Sequence, residues 1–218
     1  MNTVYWVRHG ENQANITKEF SHRKVDYSLT EKGIVQSMQT AEYFKSKKID
    51  FVYSSPLKRA YETAEIISKP HSIKIEVIEE FREINVGNLE GRPVTQANWN
   101  IHNDVLKQWS LGYIKYSFPD GENYIQLFER LKRGMHKAIN GKENNSIIIV
   151  GHGGIFTNTI LDLCPDTDRN IIESAYNHNC SVSEMTFKDN FLEGMLKYWA
   201  FSDHLYGEAA KLVESEMN

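Results

Sequence analysis

TVYWVRHGENQAN, residues 3–15, decides how the chain is read. A short apolar run stops abruptly at Arg8-His9-Gly10-Glu11. Apolar residues that end in a polar, Gly-containing cluster read as a buried strand followed by a loop. Strands of an open α/β sheet present their C-terminal ends to the crevice where such sheets bind ligands. The first ten residues therefore place an Arg and a His at the mouth of a sheet.

A second stretch repeats the pattern. Ser146–Val150, SIIIV, is continuously apolar, as expected of a central parallel strand. It stops at Gly151-His152-Gly153-Gly154, and a helix is predicted from Ile155 to about Leu163. Side by side, the two strands put His9 and His152 in one crevice.

The stretches between are consistent with a single α/β domain, 1–218. Thr30 reads as an N-cap, followed by Ile34, Met38, Ala41 and Phe44 at helical spacing. Asp50–Ser55 reads as a strand, with Pro56 in the first turn of a helix that carries Arg59 near its N-terminus. Helix N-termini attract phosphates, which raises the interest of Arg59. Ser72–Ile78 alternates as a strand and leads to a loop bearing Glu83 and Glu90 between glycines. The stretch from Gly91 to Gly121 is the least regular, with Trp99, Trp109, Tyr113, Tyr116 and Phe118. It reads as an inserted cap, 92–121, over the sheet's mouth. Beyond it, a helix is predicted with Ile125, Phe128, Leu131 and Met135 on its buried side. Ser181–Phe187 and Leu192–Ala200 read as strands joined at Lys188-Asp189-Asn190, and Leu205–Met217 as a surface helix or a fraying tail. The expected fold is a three-layer sandwich: a mainly parallel central sheet, helices on both faces, and the cap over the C-terminal strand ends.

Composition narrows the class. At 218 residues the chain can bury a substantial core. A formal charge of −4 argues against a general nucleic-acid or anionic-membrane binder. Cys164 and Cys180 fit no metal or redox spacing and read as reduced thiols of a cytosolic protein. No apolar stretch reaches membrane-spanning length, and no secretory pattern opens the chain.

Arg8, His9, Arg59, Glu83 and His152 all fall at strand exits or adjoining loops. Two Arg and two His converging there suit a doubly charged phosphoryl group, because the Arg fork binds phosphate oxygens bidentately. Walker-type, HExxH and GxSxG patterns are absent. RHGE at 8–11, LTEKG at 29–33 followed by Gln36, SSPLKRAYETA at 54–64, the Glu83 loop with EG at 90–91, and GHGG at 151–154 together resemble the histidine phosphatase superfamily, the fold of cofactor-dependent phosphoglycerate mutase.

The resemblance implies a phosphomonoester hydrolase that needs no metal or other cofactor. His9 is then the nucleophile and passes through a phosphohistidine. Arg8, Arg59 and His152 hold the phosphoryl oxygens, joined by Asn15 and by the backbone at Gly10 and Gly153. Glu83 matches the proton donor, with Glu90 as the competing carboxylate. Glu11 and Glu122 are further candidates for the pocket wall. Asn12 stands where the family usually has Ser or Thr, and its amide can still donate to phosphate. His22 replaces a frequent glycine, within Phe20-Ser21-His22-Arg23-Lys24. That basic loop is either a contact for an acidic substrate or a solvated surface. The other histidines, His71, His102, His136, His178 and His204, read as surface or packing residues.

The expected partner is a small phosphorylated metabolite, and a homodimer is an arrangement common among mutase relatives. Ala14-Asn15 and NVGNLEG replace the Trp-Asn pair and the YGGLQG-like segment usual in mutases, which favours hydrolysis over intramolecular transfer. A catalytically weak module that binds phosphorylated ligands is the reading from a different class.

Overall fold

The first strand is buried on both faces, and that dictates a layered architecture. Val4 and Trp6 point into one core, Tyr5 and Val7 into another. The computed structural model describes residues 1–188 and 193–212. The chain runs β1 (Asn2–Arg8), α1 (Gln13–Thr17), α2 (Glu31–Phe44), β2 (Phe51–Ser54), α3 (Lys58–Ser68), β3 (Ile75–Val77), α4 (Gln96–Ser110), α5 (Tyr124–Ile139), β4 (Ser146–Gly151), α6 (Gly153–Leu163), α7 (Arg169–Ser174), β5 (Val182–Phe187) and β6 (Met195–Phe201).

The six strands form one sheet in the order β3-β2-β4-β1-β5-β6. The first four are mutually parallel, and β5 and β6 are antiparallel additions. The two motif-bearing strands are neighbours, with Val7 opposite Val150 and Arg8 opposite Gly151. Helices α4, α5 and α6 cover one face through Trp109, Leu127, Leu131, Met135, Ile155 and Phe156. Helices α2 and α3 cover the other through Phe44, Ala60, Ala64 and Ile67.

The buried face of α2 differs from the apolar stripe in its sequence. Ile34 and Met38 are exposed, while Gly33, Gln36, Ser37 and Thr40 face inward with Ala41 and Phe44. The polar face is buried because it holds the loop after β1. Gln36 Oε1 accepts from the Glu11 N–H at 2.8 Å, and Thr63 Oγ1 of α3 accepts from the Gly10 N–H at 3.0 Å. A Cβ on Gly10 would lie 2.5 Å from the Gly33 carbonyl, and one on Gly33 would lie 2.1 Å from that of Glu11. The two glycines let α2 meet the loop at backbone distance.

Other boundaries also move. The stretch 92–121 contains a regular 15-residue helix, α4, capped by Thr95 and packed through Val105 and Trp109. In α5 the inward stripe is Leu127, Leu131 and Met135, with Ile125 exposed. Pro56 precedes α3, whose N-cap is Leu57. The strand read from Ser72 begins at Ile75, because Ser72 takes a left-handed conformation at the end of a short turn. At the C-terminal end a brief turn over Gly207–Ala210 packs on α2, with Gln36 Nε2 donating to the Ala209 carbonyl at 3.0 Å. Asp189, Asn190 and Leu192 of the expected hairpin, and residues 213–217 of the expected tail, lie outside the described residues. Among the described residues no helix is long and apolar enough to cross a membrane.

Candidate active site

His9 sits just past β1 and is held from several directions. Its backbone N–H donates to Gly151 on β4 at 3.0 Å, and its carbonyl accepts from Asn179 Nδ2 at 2.9 Å. The ring Nδ1 lies 2.7 Å from the Gly10 carbonyl, an acceptor, so Nδ1 carries the proton. That leaves a lone pair on Nε2, and Arg59 Nε donates to it at 3.0 Å. Complete burial, then the charges of Arg59 and Arg8, hold the imidazole pKa well below its ordinary value. His9 is neutral near pH 7, with its lone pair on Nε2.

Arg59 projects from the first turn of α3. Its two terminal nitrogens donate to Ser21, one to the hydroxyl at 2.8 Å and one to the carbonyl at 2.9 Å. Burial lowers its pKa to about 10, so it remains a cation at neutral pH. Arg8, at the end of β1, donates to the Asn177 carbonyl and lies over the Tyr176 ring, 5.8 Å from its centroid. Gly153, the first residue of α6, lines the cleft beside it.

His152 is buried next to His9, with ring centroids 5.2 Å apart. Its Nε2 is 2.7 Å from Ser55 Oγ. Burial and then Arg59 hold its pKa well below normal. Asn12 and Asn15 form a reciprocal cap on α1, with each side-chain oxygen accepting from the other's backbone N–H. Asn15 Oδ1 also accepts from Asn179 at 3.1 Å.

Around His9 three enclosed polar atoms have no partner among the described residues: Arg8 Nε, Asn12 Nδ2 and His152 Nδ1. Leaving such a group unsatisfied costs about 1–3 kcal/mol. The first two are donors, and an oxyanion is the ligand that would satisfy them.

Glu83 reaches the same crevice from the loop after β3. Its Oε1 accepts from Ile84 N and Ile155 N, both at 2.8 Å, and its Oε2 accepts from Gly154 N at 2.9 Å. The carboxylate thus sits on the N-terminus of α6, as helix polarity favours. A Cβ on Gly154 would lie 2.7 Å from Oε1, so only glycine leaves it room. Oε1 already accepts two bonds, so a proton on this group belongs on Oε2.

Glu90 has different work. Its Oε1 accepts from four successive N–H groups, of His22, Arg23, Lys24 and Val25, at 2.6–3.2 Å. Burial opposes its ionisation, but those donors outweigh it and lower its pKa. Glu90 therefore shapes the 21–25 loop, whose Ser21 positions Arg59.

The same fact corrects the reading of His22 as a substrate contact. Its Nδ1 is 2.9 Å from the Glu83 carbonyl, and its ring faces a separate recess with Arg23 and Arg130 rather than the cleft. Glu11 and Glu122 also lie off the cleft. Glu11 pairs with Lys32 at 3.0 Å, and Glu122 pairs with Arg130 at 2.7 Å. Arg130 in turn donates to the carbonyls of Glu80, Arg82 and Glu83 and fixes the loop that carries Glu83.

The cleft in front of His9 has a volume of about 560 Å³. Arg8, His9, Asn12, Asn15, Arg59, Glu83 and Gly153 line it. Sequence reading missed Ser21, Ser55, Asn179 and Tyr176, which lie in loops without periodicity, and Glu19 and Phe20 on the cleft wall. It also read His102 as a surface or packing residue; His102 packs on Phe20 and Phe118 and, with Trp99 of α4, also lines the cleft. Among the described residues no group of three or more His, Cys, Asp or Glu side chains is arranged to hold a metal ion.

The family model of the histidine phosphatase superfamily (branch 1) matches residues 4–197. The chain belongs to that superfamily. It is 34% identical over 157 residues to "Putative phosphoserine phosphatase 2" of Hydrogenobacter thermophilus, covering 71% of this chain and 74% of that one. The same fold occurs in a phosphoserine phosphatase from Entamoeba histolytica, solved with 3-phosphoglyceric acid. That structure has a TM-score of 0.76 and 24% identity, covering 94% of this chain and 100% of the other. A phosphoglycerate mutase from Bacillus anthracis has a TM-score of 0.74 and 21% identity, covering 91% and 92%. Both phosphatases and mutases of the histidine phosphatase fold are thus similar to this chain.

Proposed function

We propose that this histidine phosphatase superfamily member hydrolyses a small phosphorylated metabolite through a phosphohistidine at His9. The observation that carries the reading is the neutral His9 ring, with Nδ1 tied to Gly10 and Nε2 facing the cleft beside two arginines.

In the first half-reaction the Nε2 lone pair attacks phosphorus. The bond from phosphorus to the ester oxygen breaks as Glu83 Oε2 passes a proton to that oxygen, releasing the alcohol. Arg59 leaves the lone pair and turns its donors to the phosphoryl oxygens, with Arg8 Nε, Asn12 Nδ2 and His152 completing the cradle. In the second half-reaction the Glu83 carboxylate takes a proton from water as its oxygen attacks phosphorus. Inorganic phosphate leaves and His9 is restored.

Hydrolysis is favoured over mutase-type transfer because Ala14-Asn15 and NVGNLEG stand where mutases carry their own segments. The test is phosphate release from p-nitrophenyl phosphate and a metabolite panel, with and without EDTA, beside an isomerisation assay with phosphoglycerate and a bisphosphoglycerate primer. EDTA-insensitive phosphate release without primer supports the proposal. Primer-dependent isomerisation without net release would reassign the chain to the mutases, and silence in both assays would favour a binding module.

A further inference from the structure

The cleft has two chemically unlike halves. Next to His9 lie Arg8 and Arg59, the two Lys or Arg side chains that line it among the described residues, and both belong to the proposed phosphoryl position. The outer half is aromatic. Phe20, from the loop before α2, meets Trp99 at 4.6 Å and His102 at 5.1 Å between ring centroids. Trp99 and His102 lie one turn apart on α4, 5.1 Å from each other.

The wall is backed from behind. His102 packs on buried Phe118 at 5.5 Å, and Phe118 packs on Trp109 at 5.5 Å. It is continuous with the chemistry, because the next residue after Phe20 is Ser21, which holds Arg59. Burial lowers the His102 pKa, although its bond to Asn103 and the charge of Glu83 oppose this, so the wall is uncharged at neutral pH. Trp99 Nε1 is enclosed and has no acceptor among the described residues.

Outside the phosphoryl position the charged residues that line the cleft, among those described, are Glu19 and Glu173, the latter 3.8 Å from Arg169. Lys18 lies outside the cleft, in an adjoining recess of about 260 Å³ that Trp99, Arg8 and Glu19 also line. The basic residues that a carboxylate-bearing substrate would use, His22 and Arg23, face a different recess. Within the cleft itself, outside the phosphoryl position, an anionic leaving group would therefore meet carboxylates and ring faces, with Lys18 set off in the neighbouring recess.

We infer that the outer half of this cleft is a subsite for the leaving alcohol, suited to a planar unsaturated ring that carries no negative charge. The ring stacks on Phe20, Trp99 and His102. The inference rests on the proposed phosphoryl site at His9 and adds the class of substrate.

The test compares alkyl phosphates of similar intrinsic reactivity: 2-phenylethyl phosphate, ethyl phosphate and 3-phosphoglycerate. Wild type is expected to favour 2-phenylethyl over ethyl phosphate in kcat/KM by about tenfold or more, and to rank 3-phosphoglycerate below 2-phenylethyl phosphate. In Trp99→Ala the ratio collapses toward unity, and in Trp99→Phe most of it survives, with thermal melting checking that both variants fold. A second arm measures calorimetric binding of 2-phenylethylphosphonate against methylphosphonate, which needs no turnover. Hydrolysis without ring preference overturns the subsite and leaves the phosphatase reading standing. Ring-selective binding that Trp99→Ala abolishes, without hydrolysis of any ester, supports the subsite and overturns the phosphatase reading. A preference for 3-phosphoglycerate, or no binding of either phosphonate, overturns the subsite.

Discussion

Arg59 Nε donates to His9 Nε2 at 3.0 Å, so the cation that would bind substrate also occupies the nucleophile's lone pair before substrate arrives. The pairing does two things. It orients the ring with Nε2 toward the cleft, and it disfavours protonation of that nitrogen. An arriving phosphate dianion offers Arg59 a stronger acceptor and frees the lone pair where phosphorus is placed.

Replacing Arg59 therefore changes a measurable property of His9. In Arg59→Met the second-largest cause of the low pKa is gone, so the His9 pKa rises relative to wild type. Histidine titration by NMR reads it directly, and an unchanged or lower value would refute the coupling. Turnover falls by about 10²–10³-fold, and Arg59→Lys restores little because a point charge cannot serve His9 and Ser21 together.

Glu83→Gln separates acid catalysis from positioning. A glutamine cannot supply the proton, so esters of poorly leaving alkyl alcohols slow by about 10²–10⁴-fold. In kcat/KM, which reports the first half-reaction alone, p-nitrophenyl phosphate, whose leaving group needs little protonation, slows far less. Equal losses in kcat/KM for both ester types would mean that Glu83 does not protonate the leaving oxygen.

Glu90→Gln should act through geometry. Its oxygen gathers four N–H groups of the 22–25 segment, and the neighbouring Ser21 holds Arg59. Removing the charge is expected to cost about 1–3 kcal/mol in urea unfolding, to weaken substrate binding, and to leave the dependence on the leaving group as in wild type. A leaving-group dependence like that of Glu83→Gln would instead make Glu90 the proton donor.

Stability should fall in mild acid. His9 and His152 are buried with pKa values well below normal, and burial lowers that of His204 to about 4. Below about pH 6.5 the unfolded chain binds protons that the folded chain does not. The stability is complete above that pH and declines as pH drops toward the folded values, by up to about 1.4 kcal/mol per pH unit for each such fully buried group. Urea unfolding at pH 7.5 and 5.5 checks this, and equal or greater stability at pH 5.5 would contradict it.

The strand ends were legible because burial on both faces leaves an unbroken apolar run, and the polar residue after it has one place to go. That logic put His9 and His152 on adjacent strands. Helix α2 misled because its inward face is polar: Gln36, Ser37 and Thr40 serve the loop after β1, so hydrophobic spacing selected the wrong side. Helix α4 was hidden by Asn-rich composition and by aromatics spent on the cleft wall. His22 shows a further limit, since a residue can sit in the right loop with its ring turned to Glu83's carbonyl. Ser21, Ser55, Asn179 and Tyr176 enter only through three-dimensional packing.

The most direct test of the central claim is rapid quench of the enzyme with a phosphate monoester, followed by mass spectrometry of the peptide containing His9. The account predicts an acid-labile, base-stable phosphoryl group on His9, absent in His9→Ala, with turnover in that variant lower by at least about 10³-fold. Phosphate on another residue, or a His9→Ala enzyme that keeps turning over, would contradict it.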